Sequence, residues 1–326
     1  MLTVSDLSKK YGDKLAVNHI GFSIDKNGVI GFLGPNGAGK STTMNMITGY
    51  ISSSSGSVLV NGADILADPI QAKRQIGYLP EIPPLYRDLT VREYLNFVCG
   101  LKRFRGKREN EIDSVCEQVG ITHVSNRLIG NLSKGYQQRV GIAQALIGDP
   151  EILILDEPTV GLDPSQIIEI RKLIRKLGET KTVILSTHIL SEVQIMCSRI
   201  IMICEGKIVA DGDIDTLESG VGGNKYSLEI EGIKEKILET LNDMACVDSV
   251  EYTNGMYEIF CRSGDDKEIR KTIAAGLKEY LVTRFERSTM TLEKMFIDLT
   301  ARTDPLRDDT EEDEQHDAIM EEDVPE

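Results

Sequence analysis

The feature that most limits this chain's choice of fold is a nine-residue loop. Val29–Leu33 is a short apolar, β-prone run, and Gly34-Pro35-Asn36-Gly37-Ala38-Gly39-Lys40-Ser41-Thr42 follows it directly. An apolar-periodic helix is expected from about Ser41 to Thr48. Strand, G-x-x-x-x-G-K-[ST] loop and helix together form a phosphate-binding unit. The glycines let backbone N–H groups converge on phosphate oxygens, and the helix N-terminus adds a favourable dipole. In such a loop Lys40 reaches the β- and γ-phosphates and the Ser41 hydroxyl ligates Mg²⁺. Gly34, Asn36, Gly37, Gly39, Lys40, Ser41 and Thr42 are therefore the candidate nucleotide contacts.

A phosphate loop alone supports only nucleotide binding. Ile152-Leu153-Ile154-Leu155-Asp156-Glu157-Pro158 adds chemistry. A continuous apolar run reads as a buried parallel strand, and two acids close it at the end where open α/β sheets bind ligands. Asp156 is placed to organise Mg²⁺, and Glu157 to orient and polarise an attacking water. Between the two elements lies Asn131-Leu132-Ser133-Lys134-Gly135-Tyr136-Gln137-Gln138-Arg139. Its helix start could grip an anion. Spacing alone leaves an ordinary capped helix equally open.

The rest of the chain alternates strands and helices. Leu2–Val4, Val17–Ile24 and Val58–Val60 are strand-like, with turns at Tyr11-Gly12-Asp13, at Ser52–Ser57 and, as a hairpin signal, at Asn61-Gly62. From about Val91 to Gly148 the period becomes helical. Helix Gln166–Gly178, strand Thr182–Ser186, helix Leu190–Cys197 and strand Ile200–Cys204 then imply an α/β core on a parallel sheet. A break rich in glycine (Gly220, Gly222, Gly223) precedes a second pattern. Tyr226–Ile230, Ile233–Leu241, Val247–Tyr252, Tyr257–Cys261, Asp266–Tyr280 and Val282–Glu286 spell βαββαβ, a small ferredoxin-like α+β domain. Thr253-Asn254-Gly255 is the expected turn of its hairpin, and Leu292–Leu299 a last amphipathic helix. The domains expected are 1–217, 225–300 and, from 302 to 326, an acidic tail too rich in like charge to fold.

Charge and composition exclude several classes. The net charge is −15, but Asp304–Glu326 holds 12 acids against one base, so the remaining 303 residues carry only about −4. A nucleic-acid-binding surface is not expected. Six scattered cysteines include no C-x-x-C pair, so no zinc or thioredoxin-type site is indicated. Met1–Lys10 is polar, and no signal peptide is expected. No apolar run approaches the roughly 18–20 residues of a membrane helix, so any membrane role is expected to come through a partner.

Gly34–Thr42, Leu132–Tyr136 and Ile152–Pro158, in that order, resemble the ATP-binding subunits of ABC transporters. The resemblance covers about Leu2–Leu217. It implies a nucleotide-binding domain with an α/β core, an antiparallel β subdomain and a helical subdomain, and an ATPase using ATP and Mg²⁺. Tyr11 resembles the family's adenine-stacking aromatic residue. Gly161-Leu162-Asp163 resembles its dimer-contacting loop, and His188 its switch histidine at the γ-phosphate. Two departures stand out. The usual Leu-Ser-Gly-Gly-Gln signature reads Leu132-Ser133-Lys134-Gly135-Tyr136, and Glu81 follows Gly77-Tyr78-Leu79-Pro80 where the family usually has Gln. Glu81 joins Ser41 and Asp156 as a candidate metal ligand, since a carboxylate binds Mg²⁺ more strongly than an amide. Both variants and the small C-terminal domain resemble the ABC-2 exporter branch, and within it the gliding-motility-associated subunits, in sequence type only.

The resemblance implies a head-to-tail dimer in which Ser133 and Gly135 of one subunit meet ATP held by the other, with a homodimer the simplest form. It also implies an integral-membrane permease, docked at Glu81–Phe104, that holds the chain at the cytoplasmic face of the cell membrane. Two other readings stay open. A soluble ABC-type ATPase of the DNA-repair kind would need a long coiled coil, yet only 92 residues separate Lys40 from Ser133. A ribosome-associated one usually carries two cassettes. An importer ATPase would share all the chemistry.

Overall fold

Five parallel strands set the frame of the site. The computed structural model describes residues 1–214, 216, 217, 224–253, 255–262, 264–287, 292 and 296. The chain divides into two units, built on Met1–Asp211 and on Gly212–Met295.

The first unit opens with β1 (Leu2–Tyr11) and β2 (Lys14–Ile24), an antiparallel hairpin. The apolar pattern of the sequence stops at Val4, yet β1 runs on to Tyr11. Both of its edges find partners: Lys9 pairs with Val17, Tyr11 with Lys14, and Ser8 with Ser55. Next come β3 (Gly28–Leu33), α1 (Lys40–Ile47), β4 (Ser55–Val60), β5 (Ala63–Asp64), α2 (Pro69–Arg74) and β6 (Ile76–Leu79). Ser52–Ser57, read as a turn from its small residues, enters the sheet at Ser55 because β1 offers it a pairing edge. Asn61-Gly62 makes the hairpin turn between β4 and β5, with φ of 49° and 82°.

A helical region follows, made of α3 (Val91–Leu101), α4 (Arg108–Gln118) and α5 (Lys134–Leu146). Thr90 and Glu93 cap α3 reciprocally, each side chain satisfying the other's backbone N–H. The chain returns to the sheet with β7 (Ile152–Asp156), α6 (Pro164–Gly178), β8 (Thr182–Thr187), α7 (Leu190–Met196), β9 (Arg199–Cys204) and β10 (Lys207–Asp213).

Two sheets result, ordered β2-β1-β4-β5 and β10-β9-β3-β8-β7-β6. In the second, β3, β6, β7, β8 and β9 run parallel. Their side chains alternate between two cores. Leu153, Leu155 and Leu185 enter one, and Ile152, Ile154 and Ile184 enter the other. Burial on both faces explains why the sequence reads as an unbroken apolar run. Each such side chain contributes about 1.5–3 kcal/mol. The shared direction brings Leu33, Leu79, Asp156 and Thr187 to one edge of the sheet.

The second unit holds β11 (Asn224–Glu231), α8 (Lys234–Asn242), β12 (Val247–Thr253), β13 (Met256–Cys261), α9 (Asp266–Gly276) and β14 (Leu281–Arg287). Its antiparallel sheet, ordered β12-β13-β11-β14, is the ferredoxin-like arrangement expected from βαββαβ. Tyr226, Leu228, Ile237, Ile259 and Ile273 form its own core. The glycine break at 220–223, Asn254, all but two positions of the 292–299 helix and the acidic tail lie outside the described residues. Among the described residues no helix is long and apolar enough to cross a membrane.

Candidate functional site

Pairing with β8 and β9 carries β3 to Leu33, and the loop begins at the next residue. Gly34 passes so close to β9 that a Cβ would collide with the Ile203 carbonyl. Gly39 has φ 107°, and a Cβ there would lie 2.6 Å from the Ala16 carbonyl oxygen. Both positions therefore demand glycine. Lys40 opens α1, and its side chain folds back over the loop. Its Nζ donates to the carbonyls of Gly34 at 2.8 Å and Pro35 at 3.1 Å. Burial pushes the Lys40 ammonium below its ordinary pKa, and the charges of Glu157, Asp156 and Glu81 oppose that shift.

β7 ends at Asp156, and Glu157 turns the chain with φ 48°. A left-handed non-glycine residue costs on the order of 1–3 kcal/mol and persists only where its surroundings impose it. Here the Glu157 N–H donates to the Ser186 carbonyl at 2.9 Å. The turn points the carboxylate at the loop. Glu157 Oε1 lies 2.9 Å from His188 Nδ1 and 3.9 Å from Lys40 Nζ. Among the described residues, Asp156 Oδ1, Glu157 Oε2, Thr159 Oγ1 and Ser186 Oγ are buried without a hydrogen-bond partner. Unmet oxygens at the ends of β7 and β8 fit a hydrated hard cation and a water. Among the described residues no three His, Cys, Asp or Glu side chains form a complete metal cage.

These groups surround a cleft of about 430 Å³. Asn36, Gly37, Gly39, Lys40, Ser41 and Thr42 line one part of it; Tyr11, Glu81, Glu157 and His188 also face it. Asp156 is buried beside it, near enough to act on the charge of Lys40. Tyr11 is half exposed, with the Lys9 ammonium 5.3 Å from its ring centroid. Lys14, Ala16 and Val160 complete the lining, and sequence reading missed all three. Lys14 was within reach of inference, because it pairs with Tyr11 across the tight β1–β2 turn.

Ser133, Gly135 and Asp163 do not line this cleft. Ser133 caps α5, its Oγ accepting the Tyr136 N–H at 3.4 Å. Gly135 is buried, and a Cβ there would meet Gln166 Cδ at 2.6 Å. The Lys134 ammonium sits over Gly161, where a side chain would strike it. Asp163 caps α6 by accepting from the Gln166 N–H at 2.9 Å and the Ser165 hydroxyl at 2.7 Å. Those bonds hold its carboxyl below the ordinary range. The starts of α5 and α6 therefore pack together as a second locus. The chain carries a cleft able to hold a polyphosphate and activate water, and apart from it a capped helix start bearing Ser133 and Gly135.

Comparison with known proteins fits this geometry. Residues 17–160 match the family model described as ABC transporter. The linearmycin resistance ATP-binding protein LnrL of Bacillus subtilis is 35% identical over 315 residues, covering 94% of this chain and all of the relative. The bacitracin transport ATP-binding protein BcrA of Bacillus licheniformis is 34% identical over 304 residues, covering 92% of this chain and 97% of the relative. Among solved structures, a dimeric ATP-binding cassette in a post-hydrolysis state with ADP and Pi superposes with a TM-score of 0.59. It is 26% identical and covers 65% of this chain and 98% of its own.

Proposed function

The chain belongs to the ABC transporter family as an ATP-binding, ATP-hydrolysing subunit, and on that premise we propose how it works: two copies pair head to tail and power a separate membrane permease. The observation that carries this reading is the separation of two loci in one chain. Lys40, Glu157 and His188 share a cleft, while Ser133, Gly135 and Asp163 lie outside it. Each ATP then sits between Gly34–Thr42 of one copy and Ser133–Gly135 of the other. A head-to-tail homodimer uses each locus twice.

Within that site each residue has a definite task. Tyr11 stacks on adenine. Backbone N–H groups of Gly34–Thr42 and the Lys40 ammonium hold the phosphates. Ser41, Asp156 and Glu81 would hold Mg²⁺, which when bound neutralises phosphate charge. Glu157 orients the attacking water and accepts its proton. His188 positions Glu157 through the 2.9 Å contact at Nδ1 and meets the γ-phosphate with its other face. Loss of the γ-phosphate loosens the dimer, so hydrolysis biases a two-state element.

The direction proposed is export, from the cytoplasmic face of the membrane. The relatives named for linearmycin resistance and bacitracin transport support it, as do Glu81 and Lys134-Gly135-Tyr136, variants that resemble the ABC-2 branch. Gliding-motility-associated subunits are the sequence type it resembles within that branch, and no gliding role is proposed. The permease docks where Ile82 and Tyr86 stand 82% and 53% exposed after β6, an apolar, proline-stiffened surface. Affinity purification from detergent-solubilised membranes tests this reading. A polytopic membrane protein should co-purify, and Ile82→Asp should release it while phosphate release continues. Recovery of ribosomes or nucleic acid in its place would refute the transport assignment.

A further inference from the structure

We propose that the acidic C-terminal segment Asp304–Glu326 is the intramolecular occupant of a basic groove between α2 and the end of α3. The groove has a volume of about 600 Å³ and is separate from the nucleotide cleft. Ile70 on α2 and Leu101 on α3 are 66% and 67% exposed at its edge, and Phe104 and Ile147 add apolar surface. Around these stand Lys73, Arg74, Lys102, Arg103 and Arg105. Such a density of cations over exposed apolar surface defines the occupant's chemistry: acidic, with a short apolar stretch.

Among the described residues, two of these five cations are engaged internally and three are not. Lys102 is committed, with Nζ donating to the carbonyls of Ala145 at 3.0 Å and Ile147 at 2.7 Å. Lys73 donates to the Gly49 carbonyl at 2.9 Å. Arg74, Arg103 and Arg105 are exposed and meet no carboxylate among the described residues. Glu111, whose charge acts on Lys102, accepts from the Gly148 N–H at 2.7 Å. Three free guanidinium groups thus bracket the exposed apolar edge.

The same chain contains the complementary segment. Asp304–Glu326 carries 12 acids and one arginine, with two acidic blocks, Glu311–Glu314 and Glu321–Asp323, on either side of Ala318-Ile319-Met320. An apolar triad between acidic blocks matches an apolar strip between basic groups. At ~3.3 Å per extended residue the 15 residues from Phe296 to Glu311 can span roughly 50 Å. A tethered segment acts at an effective concentration on the order of 1 mM. A free-peptide Kd of about 0.1 mM then corresponds to a groove occupied about ten to one. The groove lies on the helical side where the permease is proposed to dock, so the segment would compete with it; that consequence alone rests on the proposed function.

Hydrogen exchange on the full chain tests the contact directly. The reporters are the amides of Lys102, Arg103 and Phe104, which donate to Val98, Gly100 and Cys99. One variant carries amides in place of the seven acids at 311–314 and 321–323. A second carries Arg74→Glu and Arg105→Glu, and retained phosphate release shows that it folds. At low salt these amides should exchange about tenfold faster in the neutralised-tail variant than in the native chain. A free 304–326 peptide should restore the protection in that variant, lose its effect in 0.5 M salt, and fail to protect the Arg74→Glu/Arg105→Glu chain. Equal exchange in native and neutralised chains would overturn the proposal. So would equal peptide binding by the charge-reversed chain. Phosphatidylglycerol vesicles bound equally by native and neutralised chains would assign the groove to lipid headgroups and overturn it too.

Discussion

Replacing His188 by alanine removes the one hydrogen bond that the Glu157 carboxylate makes among the described residues. Oε1 meets His188 Nδ1 at 2.9 Å, and Oε2 is buried without a partner. What remains is the Lys40 ammonium at 3.9 Å, too far for a hydrogen bond and shared with two backbone carbonyls. A hydrogen bond to a charged group contributes about 1.5–3 kcal/mol. If that energy serves to hold Glu157 on the attacking water, its loss appears in turnover, where about 1.4 kcal/mol is tenfold. His188→Ala should therefore lower kcat by roughly 10- to 150-fold. KM for ATP should change by less than about threefold, because the phosphate loop is untouched. Phosphate release measured across ATP concentrations separates the two parameters. His188→Asn, whose side-chain amide can overlap the Nδ1 position, should lose less than about tenfold. A kcat within twofold of the native value in His188→Ala would refute the positioning role, as would a loss confined to KM.

Asp156→Asn should raise the Mg²⁺ concentration for half-maximal turnover at least about tenfold while nucleotide binding without metal is kept, because it removes a carboxylate that has an unmet oxygen; an unchanged Mg²⁺ midpoint would remove Asp156 from the metal site. Lys102 gives a pH prediction. Burial pushes its pKa down to about 8, against about 10.4 in an unfolded chain. Between those values the unfolded state binds more protons, so this group's contribution to stability rises with pH, by no more than about 3 kcal/mol. Below pH 8 both states are protonated and the slope vanishes. Urea unfolding should show the native chain gaining on Lys102→Met between pH 8 and 9.5, and a constant difference would contradict the assignment.

Much of this site was legible in the sequence because its parts are local. Gly34–Thr42 is one contiguous loop, and Asp156-Glu157 closes a run whose apolarity comes from burial on both sides. The alternation of Ile152 and Leu153 between two cores leaves no periodicity in the run, yet its length and its acidic end still identified the strand. Other features depend on distant pairing. Nothing polar in Ser5–Lys10 announces a strand, and β1 extends there only because β2 and β4 flank it. Lys14 and Ala16 reach the cleft through that same hairpin. The left-handed turn at Glu157 is invisible in the sequence, since its N–H bonds to the Ser186 carbonyl, 29 residues downstream. The basic groove is likewise assembled from three separate stretches, around residues 70, 103 and 147.

We propose that Glu157 drives hydrolysis of ATP held between two copies of the chain. Glu157→Gln keeps the side chain's shape and removes its basicity. The decisive measurement is molar mass by light scattering, with and without ATP-Mg²⁺, alongside phosphate release. Glu157→Gln should bind ATP, accumulate as a stable dimer only when ATP is present, and turn over about 10²- to 10⁴-fold more slowly than the native chain. Turnover at the native rate, or a variant that stays monomeric with ATP bound, would contradict the claim.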